Sequence, residues 1–270
     1  MLQKIITHYL DDSFSQGRIY DIFVPEKIQH DTAIFMIHGG GWKAGSRTEY
    51  HGPIIKKILE QGFIVATTDY RLDVSVFDQL KDCRDAYMHF ANELRQMERP
   101  LKIAVFGCSA GAHLASLLIT AEPGAAGESF TGEWIVPVCG MLQSVPKSFE
   151  PWDEILPYLW KDMQFAVRTP YHEDPELYKK LSFERHIHPG MPRLFFMEAE
   201  YEEMFWYPEK LELARDIAAF GNEISVKIYK NMEHGFLYNL DRVHQREALD
   251  DLLKFVKGEK IDGLEFKSGK

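Results

Sequence analysis

The residues able to do chemistry fall in three short motifs: a serine flanked by glycines, a histidine followed by three glycines, and a late histidine beside a glycine. Gly107-Cys108-Ser109-Ala110-Gly111 is a G-x-S-x-G between an apolar run and a helical pattern. A tight strand-to-helix turn there leaves the Ser109 hydroxyl on strained backbone at a helix N-terminus, where partial positive charge favours an oxyanion. The competing reading is a glycine-rich helix start with an incidental serine, and the flanking context argues against it. His38-Gly39-Gly40-Gly41-Trp42 follows another apolar run. Consecutive glycines let backbone N–H groups approach a substrate oxygen closely, as acyl transfer needs. A plain flexible loop and a phosphate cradle are the alternatives; the cradle lacks both G-x-G-x-x-G and a following Gly-Lys-Ser/Thr.

A serine nucleophile needs a base. His234, in Asn231-Met232-Glu233-His234-Gly235-Phe236, sits on a late loop and suits the chain order serine, acid, histidine. The chain has 11 histidines, so an ordinary loop residue is the standing alternative for any one of them. His113, one turn into the helix after Ser109, reads as structural, and His38 as ordering the glycine loop. His186 and His188 form an H-x-H before Pro189 and read as a surface pair, because a metal site would need further ligands. The acid belongs after the apolar run 193–197, where the sequence is Glu198-Ala199-Glu200-Tyr201-Glu202-Glu203. No aspartate occurs there, so a glutamate must orient the histidine. Cys108, beside Ser109 on a sharp turn, points elsewhere and reads as a small buried thiol.

The elements that must hold these residues follow from periodicity. Apolar or β-rich runs at 4–10, 17–25, 32–38, 63–70, 101–107, 135–141, 193–197 and 224–229 predict about eight strands. Helical patterns cover 48–61, 77–97, 110–121, 211–220 and 243–256, with Pro100 as a stop after the second. Continuous apolar strands alternating with helices mean a mostly parallel sheet covered on both faces. Residues 143–189 break the rhythm with six prolines and many aromatics, and predict a small helical insertion within one domain spanning 1–270. The polar end, 258–270, reads as loosely held.

Composition narrows the class. The chain has 270 residues, 45% of them hydrophobic, which suits one globular domain and excludes disorder. Lys plus Arg number 31 against 41 Asp plus Glu, a formal charge of −10 that disfavours nucleic acid or an anionic membrane as partner. Three cysteines lack metal-ligand spacing, and their odd number argues against a disulfide framework. The N-terminus turns polar without a signal-peptide core, and no apolar run approaches the roughly 20 residues of a membrane span. A soluble cytoplasmic location is the expectation.

With HGGGW, GCSAG, the late glutamates and His234 in this order, the sequence resembles the α/β-hydrolase fold. More narrowly it looks like hormone-sensitive-lipase-like esterases and bacterial carbohydrate acetyl or feruloyl esterases. Asp69-Tyr70-Arg71-Leu72, Gln79-Leu80-Lys81-Asp82 and Ala112-His113-Leu114-Ala115 add to the likeness, which spans nearly the whole chain. The family's late strand and acid align on residues 192–202, which implies Glu202 as the triad acid where aspartate is usual, with Glu203 as substitute. The resemblance also implies that the N–H groups of Gly40, Gly41 and Ala110 form the oxyanion hole. The G-x-S-A-G-A-H stretch is similar to kynurenine formamidases as well, although their loop reads HGGYW.

The expected activity is hydrolysis of a small carboxylic ester by Ser109, His234 and Glu202, with no metal or organic cofactor needed. Trp42, Trp152, Tyr158 and Trp160 are candidates to stack on a sugar or phenolic ring, although aromatics pack cores as readily as they line sites. The insertion carries no long apolar lid, so short acyl groups such as acetyl are favoured over long chains. Amide or formamide hydrolysis is the rival reaction, and a non-catalytic ligand-binding protein the rival class. An edge strand or the insertion offers a surface for a homodimer.

Overall fold

The computed structural model describes residues 2–10, 17–99, 102–120, 134–153 and 155–266. Pro100 and the last four residues of the polar end lie outside the described residues. Among the described residues nine strands form a single sheet in the order β1-β2-β4-β3-β5-β6-β7-β8-β9. They are β1 (Leu2–Tyr9), β2 (Ile19–Pro25), β3 (Thr32–Ile37), β4 (Val65–Thr68), β5 (Lys102–Cys108), β6 (Cys139–Gln143), β7 (Arg193–Tyr201), β8 (Ile224–Glu233) and β9 (Leu264–Phe266). The run from β4 to β8 is parallel; β1, β2 and β9 pair antiparallel.

Seven α-helices among the described residues cover the sheet: α1 (Pro53–Glu60), α2 (Val76–Gln96), α3 (Ala110–Ile119), α4 (Pro157–Val167), α5 (Pro175–Leu181), α6 (Tyr207–Ala219) and α7 (Val243–Lys257). The central strands are buried on both faces, and their alternation divides the core in two. On β3, Ala33, Phe35 and Ile37 pack with α2, α3 and α6 on one side, while Ile34 and Met36 pack with α1 and α7 on the other. This is the α/β-hydrolase architecture. Among the described residues no helix is long and apolar enough to cross a membrane.

Three elements differ from the sequence reading. The helix expected over 48–61 is a 3-10 turn, Arg47–Tyr50, followed by α1. Pro53, with no N–H to donate, starts a new helix and cannot continue the turn before it. The strand expected over 135–141 begins only at Cys139, beyond Pro137, which has no N–H for the ladder. The ninth strand comes from the polar end, where Leu264, Glu265 and Phe266 pair with Val226, Ser225 and Ile224. Strands of three residues at a sheet edge carry too little apolar pattern to be read from sequence. Between β6 and β7 lie α4, α5 and a 3-10 turn, Phe183–His186, in the proline-rich segment.

Candidate active site

Ser109 stands between the end of β5 and the start of α3. Its backbone has φ 55° and ψ −119°, a left-handed conformation that costs an L-residue energy and is tolerated where surrounding structure enforces it. Two bonds hold it: the Ser109 N–H donates to the Gln143 carbonyl at 2.9 Å, and the Ser109 carbonyl accepts from the His113 N–H at 3.0 Å. The flanking glycines are needed because the chain crowds there. A Cβ on Gly107 would run into the Gly111 carbonyl, and one on Gly111 into the His38 carbonyl. Cys108 is fully buried, and burial pushes its thiol up to about 12, so the thiolate is not on offer.

His234 lies just past β8 and Glu202 just past β7, both at the C-terminal edge of the sheet beside Ser109. His234 Nε2 is 2.8 Å from Ser109 Oγ. Its Nδ1 is 2.8 and 2.9 Å from the two Glu202 carboxylate oxygens. A carboxylate only accepts, so the ring proton sits on Nδ1 and Nε2 is left to accept from the serine hydroxyl. Glu202 is 7% exposed. Burial opposes its charge, yet the hydrogen bonds from His234 and the Met204 N–H outweigh burial and hold the carboxyl below its ordinary range. Oε1 accepts from the Met204 and Phe205 N–H groups at 3.0 and 3.3 Å. Glu203, the substitute considered for the acid, is exposed, and Glu200 accepts from the Asn231 N–H instead.

The glycine loop faces Ser109 and is pinned from below. The Gly39 N–H donates to the Tyr238 hydroxyl at 2.8 Å, and the Tyr70 hydroxyl donates to the His38 and Gly39 carbonyls at 3.1 and 3.2 Å. His38 stacks on Tyr70 with ring centroids 4.3 Å apart, and its Nδ1 bonds the Gly39 carbonyl at 2.7 Å. Gly40, at φ 113°, turns the chain back so that its carbonyl accepts from Lys43 and Ala44. Among the described residues nothing accepts from the N–H groups of Gly40, Gly41 or Ala110. All three border the same cleft as Ser109, or sit at the first position of α3 directly after it. Three unpaired donors around one nucleophile form a ready-made site for negative charge on oxygen.

The cleft has a volume of about 380 Å³ and is walled by Leu159, Met204, Phe205, Tyr158 and Asp162 as well as the motifs. Lys43 from the glycine loop and Asp162 from α4 meet at 2.6 Å across it. Tyr158 is 52% exposed at the cleft, in reach of a substrate. The three tryptophans grouped with it are placed otherwise. Trp42 is 2% exposed, its indole N–H donating to His113 Nδ1 at 3.2 Å and its ring edge-on to Phe149. It reaches the cleft only at the edge, and works as a packing residue rather than a stacking platform. Trp160 packs on Tyr171 and Tyr178 inside the insertion. Trp152 lines a second cleft of about 350 Å³ with Glu150 and Arg185, and Phe205 walls both clefts.

His113 is structural. It accepts from Trp42, its Nε2–H donates to the Leu181 carbonyl at 2.7 Å, and burial lowers its pKa to about 4, so the ring is neutral. Two positioning residues have no motif to announce them. Tyr238 holds Gly39 and packs on Tyr50; it lies four residues after His234, too common a residue type to stand out. Gln143 receives Ser109 through its carbonyl, and its side-chain oxygen, turned toward the histidine loop, accepts from Phe236 and Leu237 at 3.0 and 3.2 Å.

Residues 20–133, which contain both the glycine loop and the serine turn, match the BD-FAE family. Over this stretch, less than half of the chain, the sequence is similar to that family, the bifunctional acetyl/feruloyl esterases. In structure it is similar to a truncated carbohydrate esterase from gut microbiota, with TM-score 0.79, 14% identity, and 95% of this chain and 97% of that one covered. A butyrate-bound esterase, Est2 from Thermogutta terrifontis, superposes with TM-score 0.71 at 22% identity, covering 89% and 88%. In sequence, 166 residues are 32% identical to the non-reducing polyketide synthase ausA of Emericella nidulans, covering 55% of this chain. The chain spans only 6% of that synthase's length.

Proposed function

We propose that this chain is a serine hydrolase of small carboxylic esters working through an acyl-enzyme. The observation that carries the reading is the continuous relay Glu202–His234–Ser109, with contacts of 2.8 to 2.9 Å, opening on three unpaired N–H groups. Ser109 Oγ attacks the ester carbonyl as His234 Nε2 takes its proton. The carbonyl oxygen becomes an oxyanion accepting from Gly40, Gly41 and Ala110. Collapse of the tetrahedral species breaks the C–O bond to the alcohol, which leaves with the proton from Nε2. A water activated by the same nitrogen then attacks the acyl-serine and releases the acid. Glu202 keeps the imidazole in its working tautomer and stabilises the cation formed in each step.

The cleft supports a short acyl group. Its volume is near the lower end for ligand sites, roughly 300–1,000 Å³. Met204, Phe205 and Leu159 supply an apolar wall for a chain of a few carbons, and Tyr158 at the mouth meets the alcohol portion. The Asp162 carboxylate beside the glycine loop, on a chain of charge −10, favours a neutral ester over an anionic one. The test is a panel of aryl esters from acetyl to long acyl chains, with acetylated sugars and N-formylkynurenine alongside. The proposal expects kcat/KM to peak at two to four acyl carbons. A peak at long chains, or a preference for the formamide, overturns it.

A further inference from the structure

We propose that His8, His89 and Glu93 bind one divalent first-row transition ion, Zn²⁺ foremost, which clips edge strand β1 to helix α2. The site is separate from the ester chemistry: β2, β4 and β3 stand between β1 and the strand that carries Ser109. One ligand atom from each of the three side chains lies within 4.8 Å of the other two. His8 Nε2 and Glu93 Oε2 are 3.5 Å apart. With Zn–N and Zn–O bonds of about 2.0–2.1 Å, ligand atoms at two corners of a tetrahedron sit roughly 3.3 Å apart. One edge is therefore already formed, and the others, at most 4.8 Å long, close with no more than about 1.5 Å of side-chain movement.

The topology explains how the three meet. His89 and Glu93 are one helical turn apart, on one face of α2. His8 comes from the strand beside them, opposite Tyr20 in the β1–β2 register. Its ring stacks on Tyr20 at 5.0 Å and lies 4.9 Å from the ring of His89. A second observation points to a metal. The buried Tyr20 hydroxyl is 2.5 Å from His89 Nδ1. Binding an ion through His89 Nε2 requires Nδ1–H to donate to that phenol oxygen, a direction the contact allows. This is the outer partner that metal-bound imidazoles have, fixing tautomer and ring orientation. Two imidazoles and one carboxylate suit zinc and its neighbours; calcium and magnesium prefer all-oxygen sets.

Isothermal titration of the chelator-stripped full chain with zinc chloride, paired with thermal denaturation, tests this. One equivalent per chain and a rise in Tm are expected. His89→Gln and Glu93→Gln should each weaken the affinity at least tenfold, and Tyr20→Phe about 10- to 100-fold, the usual range for a lost outer partner. The double variant His186→Ala/His188→Ala should bind as tightly as the parent. Circular dichroism confirms that each variant is folded, and the half-buried Glu93→Gln carries the test if the variant of buried Tyr20 is not. No saturable binding overturns the proposal. So does an affinity that His89→Gln and Glu93→Gln leave unchanged, which would put the ion elsewhere.

Discussion

Shortening Glu202 by one methylene asks whether its reach is what makes the base work. The carboxylate oxygens lie 2.8 and 2.9 Å from His234 Nδ1. Glu202→Asp withdraws them by about one C–C bond, roughly 1.5 Å, to some 4.3 Å if the loop stays in place. With an effective dielectric near 20, the attraction between the carboxylate and the imidazolium of the transition state falls from about 6 to about 4 kcal/mol. The difference of about 2 kcal/mol corresponds to a loss of roughly 30-fold in kcat. Glu202→Gln differs in kind. Its amide keeps the reach but has no charge, and its NH2 group can donate to Nδ1 and move the ring proton to the nitrogen facing Ser109. The analogous loss of charge at the acid of a serine protease triad costs about ten-thousandfold. The expected order of kcat on a short aryl ester is parent, then Asp, then Gln, with KM little changed. Stopped-flow or steady-state release of the phenol measures it. An aspartate variant as fast as the parent, or a glutamine variant as fast as the aspartate, would refute the reasoning.

Other consequences follow from the packing around the site. Tyr238→Phe removes the acceptor of the Gly39 N–H. An amide left unpaired in a buried place costs about 1–3 kcal/mol, so urea unfolding should shift by that amount and kcat should drop more than KM rises. His113, whose pKa burial lowers from 6.5 to about 4, makes stability pH-dependent. Between those values the unfolded chain binds the extra proton and the folded one does not, so stability is full above 6.5 and falls as pH drops toward 4. At 1.36 kcal/mol per unit the loss reaches about 3 kcal/mol, and urea titrations should show that His113→Gln lacks this part of the acid sensitivity.

Much of the sheet is legible in sequence because strands buried on both faces read as unbroken apolar runs, as in residues 32–38 and 63–70. The edges are not: β9 is a three-residue strand, and β6 starts two residues beyond a proline. The serine turn and the glycine loop are legible because tight backbone contacts demand glycine at fixed spacing. The glutamate opposite His234 is not fixed by a motif, since Glu198, Glu200, Glu202 and Glu203 lie within six residues and only the end of β7 and the turn after it decide which one meets His234. Single aromatics carry the least information. Trp42 and Tyr158 look alike in sequence, yet one is sealed against His113 and the other stands at the cleft. Tyr238 and Gln143 act by supporting backbone, and such contacts leave no spacing to recognise.

The central claim is that Ser109 is the nucleophile. Incubation of the folded chain with a fluorophosphonate, followed by intact mass and peptide mapping, tests it most directly. One adduct per chain on Ser109 is expected, absent from Ser109→Ala and strongly slowed in His234→Ala, with ester turnover lost in step. Labelling at another residue, or turnover by Ser109→Ala at a rate near the parent's, would contradict the account.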